Sequence, residues 1–66
     1  MDWNVVKGNW KQVKGDIQQK WGKLTNDELD QIDGNREKLV GKIQEKYGQA
    51  RDEIEAALDD LEAKAG

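Results

Sequence analysis

The chain has 66 residues, a net charge of −3 and 38% charged side chains, with no cysteine and no histidine. One small domain with a modest core is the expected organisation, residues 1–66. Disulfide scaffolds, thiolate or imidazole metal sites and histidine-based triads are excluded by composition.

The first element is a helix. Trp3, Val6, Trp10, Val13, Ile17, Trp21 and Leu24 recur at steps of 3 and 4, which predicts one apolar stripe on a helix. Asp2 is placed to cap it. Asn9 with Gln12 offers a second cap, so the helix can also begin again after Gly8. Gly22 is a natural residue just past the end.

The second helix start is carried by Thr25-Asn26-Asp27-Glu28. Thr25 as N-cap and Glu28 three residues on form a capping box, with Leu24 and Leu29 as the hydrophobic staple. Leu29 and Ile32 give its apolar edge, and Gly34 ends it. A third helix is predicted from about Asn35 to Tyr47, with Leu39, Val40, Ile43 and Tyr47 on one side and Gly48 as its stop. The fourth runs from about Gln49 to Lys64, with Ala50, Ile54, Ala57, Leu58 and Leu61 inward. No proline and no alternating apolar pattern indicate a strand. The fold class is all-α: a small domain of four helices. Trp10, Val13, Ile17, Trp21, Leu29, Ile32, Leu39, Ile43, Tyr47, Ile54 and Leu58 are its expected core.

An internal repeat organises these helices. Residues 8–24 align without gaps to residues 34–50, matching at Gly8/Gly34, Asn9/Asn35, Gly15/Gly41, Ile17/Ile43, Gln18/Gln44, Lys20/Lys46 and Gly22/Gly48. Each copy with its following helix is an αα-hairpin, at about 8–33 and 34–64. Gly15 and Gly41 fall inside their helices, where each costs roughly 1 kcal/mol relative to alanine. Both lie opposite the apolar stripe. Either another backbone comes close there or the helices bend or fray. Close approach, by the N-terminal arm or a partner, is the expectation.

Charge is divided along the chain. Residues 1–24 carry five Lys and two Asp, and residues 25–66 carry six Lys/Arg and twelve Asp/Glu. A basic front half suits nucleic acid or anionic lipid, or it packs beside its own acidic back half. Trp3, Lys7, Lys11 and Lys14 are the candidate partner surface. If the tryptophan face is exposed, it is a stacking or membrane-surface stripe; if buried, it is core, with lysine stems covering the edge. Trp10 and Trp21 are assigned to the core.

Other constellations fail on spacing. With Gly34 as the turn glycine of a calcium loop, the ligand positions would fall on Leu29, Gln31 and Asp33, and the twelfth on Val40. The acids Asp52, Glu53, Glu55, Asp59, Asp60 and Glu62 read as a solvated helix face rather than an acid–base pair. The seven-residue glycine spacing is no phosphate loop. No catalytic, metal or cofactor residue is assigned.

Several segments together resemble the CsbD-like bacterial stress-response family: Gly8-Asn9-Trp10-Lys11-Gln12, Lys14-Gly15, Trp21-Gly22-Lys23-Leu24-Thr25, Gly34, Leu39-Val40-Gly41-Lys42-Ile43-Gln44 and Tyr47-Gly48. The resemblance implies two crossed hairpins and expression under general stress control. It implies no catalytic residue, cofactor or substrate. With the hydrophilic composition, which resembles that of hydrophilins, the expectation is a monomeric, cytoplasmic, non-enzymatic protein. No secretory signal or bilayer span is read. Its action would be protective or interaction-based, with an unidentified protein partner. A nucleic-acid-binding module using the basic N-terminal helix is the alternative, opposed by a pI near 4.8.

Overall fold

A computed structural model of the chain describes residues 3–65. Helix α1 spans Trp3–Gly8, α2 Trp10–Lys20, α3 Asn26–Ile32, α4 Arg36–Tyr47 and α5 Arg51–Ala65. The cap expected from Asp2 lies outside the described residues.

The helix begins again after Gly8, the alternative that Asn9 and Gln12 offered, so the described residues form five helices rather than four. Asn9 leaves helical geometry at φ −109°, ψ 26°, and its side chain makes no capping bond. Its backbone bridges the break instead. The N–H of Asn9 donates to Val5 and Val6 carbonyls at 3.1 Å each, and its own carbonyl accepts from Gln12 and Val13 at 2.9 Å. The apolar stripe runs straight across, because Val6 and Trp10 are both buried. Helix α1 packs against α5.

The capping box forms as predicted. Glu28 N–H donates to Thr25 Oγ1 at 3.1 Å, and Thr25 N–H donates to Glu28 Oε1 at 3.0 Å. Leu24 and Leu29, the staple, are both buried. Helix α3 closes on a left-handed Asp33 at φ 48°, followed by Gly34 at φ 82°. Two such residues in succession turn the chain sharply into α4. Asn35 caps α4 by accepting from Lys38 N–H at 3.1 Å. Gly48 ends α4 in left-handed geometry, φ 66°. Gly22 stands at the equivalent place in the repeat but takes no positive φ: α2 ends on Trp21 at φ −125°, ψ 76°.

Helix α5 starts later than expected. Ala50 is not an inner residue: it is exposed at the helix entrance, where its carbonyl accepts from Glu53 and Ile54.

One core joins all five helices. The first stripe supplies Val6, Trp10, Val13, Ile17, Trp21 and Leu24; the later helices add Leu29, Ile32, Leu39, Val40, Ile43, Ile54 and Leu58. Of the expected core, Tyr47 alone stays half-buried. Its ring packs on the core while its hydroxyl accepts from Lys23 N–H at 2.8 Å, and Lys23 Nζ stands 5.1 Å from the ring centroid. A phenol satisfies both environments in this way.

The interior glycines do not serve close approach. A Cβ built on Gly15 or Gly41 meets nothing within 4 Å. Close approach by the N-terminal segment does occur, at Gly34. There a Cβ would lie 2.7 Å from Lys7 Cγ and 3.1 Å from Lys7 Cα.

Candidate functional site

Helices α1 and α2 carry the four residues of the expected partner surface, and the fold divides them: Trp3 and Lys7 both meet Gly34, while Lys14 turns to α3. Trp3 is half-buried. Its indole N–H donates to the Gly34 carbonyl at 2.7 Å, and the Arg36 guanidinium stacks 4.9 Å from its ring centroid. Lys7 lays its stem across Gly34. Lys14 turns toward α3, where Nζ meets Asp30 Oδ1 at 2.6 Å and Asn26 Oδ1 at 3.0 Å, leaving its side chain 16% exposed. Lys7 and Lys11 are exposed. The structure therefore does not assemble Trp3 and the three lysines into one ring-and-cation face.

The other indoles are also committed inward. Trp10 Nε1 donates to the Leu29 carbonyl at 2.8 Å, and Trp21 Nε1 to Gln49 Oε1 at 2.9 Å. Each indole thus pairs its one donor on burial. Among the described residues, no buried side-chain nitrogen or oxygen lacks a partner.

Two charge clusters stand out, and both tie helices together. Glu28 on α3 lies 2.9 Å from Lys46 Nζ and 3.6 Å from Lys42 Nζ on α4. The hydrogen bond from Lys46, then that from Thr25 N–H, lowers its pKa from 4.5 to about 2. A carboxylate so firmly ionised is a poor proton donor near neutral pH.

The second cluster centres on Arg36, the first residue of α4. Its Nε meets Glu55 Oε1 at 2.8 Å, one terminal nitrogen meets Asp59 Oδ1 at 2.8 Å, and the other lies 3.4 Å from Glu62 Oε2. Burial alone would lower the pKa of Arg36; hydrogen bonds to Asp59 and Glu55 outweigh it and hold the guanidinium above its ordinary value. Glu62 corrects the reading of a wholly solvated acidic face, since it is 8% exposed. A signal for this clamp was present. Glu55, Asp59 and Glu62 are spaced 4 and 3, which puts three acids on one stripe of α5. Their arginine comes from another helix, and nothing local points to it. Arg51 extends the network by pairing with Glu37 and, at 3.5 Å, with Glu55.

These clusters satisfy charge but do not converge on an open position. Among the described residues, no three acids group as ligands for a metal ion. No described helix is long and apolar enough to cross a membrane.

A family model described as CsbD-like matches residues 4–56. A UPF0337 protein of Rhodopseudomonas palustris is 58% identical over 60 residues, covering 91% of each chain. One from Agrobacterium fabrum is 56% identical over 66 residues, covering 100% of this chain and 98% of its own. One from Bradyrhizobium diazoefficiens is 60% identical over 60 residues, covering 91% of each. No solved structure matches the chain. With most of its length matched by the family model and by relatives of nearly equal size, the chain belongs to the CsbD-like family.

Proposed function

We propose that this chain is a non-enzymatic protective module of the bacterial cytoplasm, acting through its polar surface during stress. Membership of the CsbD-like family implies a general stress-response protein; the protective mechanism is our reading. The observation that carries it is the inward commitment of all three tryptophans. Their donors are spent on Gly34, Leu29 and Gln49, and among the described residues Val5 is the one large apolar side chain left exposed on a charged and polar surface. Mean hydropathy is −1.07. Such a polar, net-charged surface holds water and favours solubility.

The nucleic-acid reading loses support from the same geometry. Stacking platforms need exposed rings beside free cations. Here Trp3 is half-buried under Arg36, and Lys14 is neutralised by Asp30.

The test is preservation of a labile enzyme through drying and rehydration. The chain should retain more activity than an equal mass of lysozyme, and should show no salt-dependent retention on immobilised DNA. Equal loss with both proteins would remove the protective reading. Salt-sensitive DNA binding would restore the alternative.

A further inference from the structure

A groove of about 450 Å³ lies between α2 and α5. Its floor is apolar, made by Ile17 of α2, Trp21 just beyond that helix, and Ala57 and Leu61 from α5. Its rim is charged. Asp16 and Lys20 stand one turn apart on the α2 side; Asp60 and Lys64 stand one turn apart on the α5 side.

The two helices run antiparallel along this groove. Gln49, just before α5, bonds to Trp21, just after α2. At the other end, Lys64 borders a smaller recess with Asn9, Gln12, Val13 and Asp16. Antiparallel order sets Asp16 across from Lys64 and Lys20 across from Asp60. Around the rim, the sign alternates at every corner. Among the described residues, none of these four closes an ion pair. All four are exposed.

An alternating four-cornered charge pattern is its own complement. Turned over about a two-fold axis lying along or across the groove, a second copy places a carboxylate over each lysine and an ammonium over each aspartate. No other corner pairing is left unfavourable. A uniformly acidic or basic partner would find two of the four corners repulsive. From this complementarity, we infer that the groove between α2 and α5 seats a second copy of the same chain in a symmetric, groove-to-groove pair. The contact is isologous, each copy offering the same patch. The exposed apolar floor is small, since Ile17 and Trp21 are themselves nearly covered, at 0% and 3% exposure. The pair is therefore weak and forms at high concentration, while the dilute chain is single.

Sedimentation equilibrium on the full chain, from roughly 10 µM to roughly 2 mM, covers the range of a weak pair. The weight-average mass should climb from 7.5 kDa toward twice that value. Raising the salt should push the rise to higher concentration. Two variants then decide the mechanism. Lys20→Glu with Lys64→Glu makes the rim wholly acidic; Asp16→Lys with Asp60→Lys makes it wholly basic. Each alone should stay at the single-chain mass throughout. Their equal mixture should associate at concentrations where neither does alone. Circular dichroism checks that both keep the native helix content. A native chain that stays single at the top of the range overturns the inference. So do variants that associate as the native chain does, or a mixture that fails to associate.

Discussion

Replacing Gly34 by alanine should cost more than the same change at any other described glycine. Two separate penalties meet there. The backbone sits at φ 82°, where a Cβ costs roughly 1–2 kcal/mol. The added methyl would also stand 2.7 Å from Lys7 Cγ and 3.1 Å from Lys7 Cα. The Cγ can swing away, but the Cα belongs to α1 and moves only with that helix. Overpacking of this kind costs about 1–3 kcal/mol, for a total of about 2–5 kcal/mol. Gly48 isolates the first penalty. Its φ is 66° and an added Cβ meets nothing within 4 Å, so Gly48→Ala should cost only about 1–2 kcal/mol. Gly15 and Gly41 carry neither penalty. There alanine should stabilise by about 0.5–1 kcal/mol through helix propensity and a less free unfolded chain. Thermal unfolding followed by circular dichroism reads the series, since in a chain this short 1 kcal/mol moves Tm by about 4–8 °C. The predicted order is Gly15→Ala and Gly41→Ala above the native chain, Gly48→Ala below it, and Gly34→Ala lowest. If Gly34→Ala melts with Gly48→Ala, α1 is not pressed against the α3–α4 turn. If Gly15→Ala melts below the native chain, a neighbour crowds that face after all.

Three further outcomes follow from the packing and the charges. Trp21→Ala should cost about 3–5 kcal/mol, enough to unfold much of a marginal domain, because the ring is 3% exposed; lost far-ultraviolet helix signal at 25 °C checks it. Arg36→Ala should destabilise by about 1–3 kcal/mol by stripping the partner from Glu62, and should red-shift Trp3 emission in a Trp10→Phe/Trp21→Phe background; Arg36→Lys should recover only part, lacking the planar fork. The acid limb of the stability curve should carry the signature of Glu28. Its folded pKa of about 2 lies below the ordinary 4.5, so its contribution is complete above pH 4.5 and fades as pH falls toward 2. Urea midpoints for Glu28→Gln should show a flatter decline across that window.

Local signals were legible in the sequence, and tertiary ones were not. The Thr25–Glu28 capping box and the Leu24–Leu29 staple involve neighbours within a few residues, and both formed where expected. The apolar stripe located the buried face of α1 and α2. The stripe alone could not show the break at Asn9, because Val6 and Trp10 keep helical spacing across it; the Asn9–Gln12 pair offered the restart, although the Asn9 side chain makes no capping bond. Helical-wheel position correctly put Gly15 and Gly41 opposite the stripe. What lies beyond that face depends on where α1 and α5 come to rest, and there it is open space. The close contact with the N-terminal segment was real but belonged to Gly34, whose neighbour Lys7 is distant in sequence. The candidate surface suffered in the same way. Trp3 and Lys14 share a side of the chain with Lys7 and Lys11 in projection, yet Gly34 and Asp30 draw them into the fold. Burial of Glu62 was hidden because its partner Arg36 arrives from another helix.

The central claim is protection by a polar module whose aromatic rings are spent on its own core. Its most direct test is the residual activity of a labile dehydrogenase after drying with rising molar ratios of this chain, beside equal masses of lysozyme. The account predicts a dose-dependent recovery that exceeds the lysozyme series at every ratio. Recovery no better than with lysozyme would contradict it.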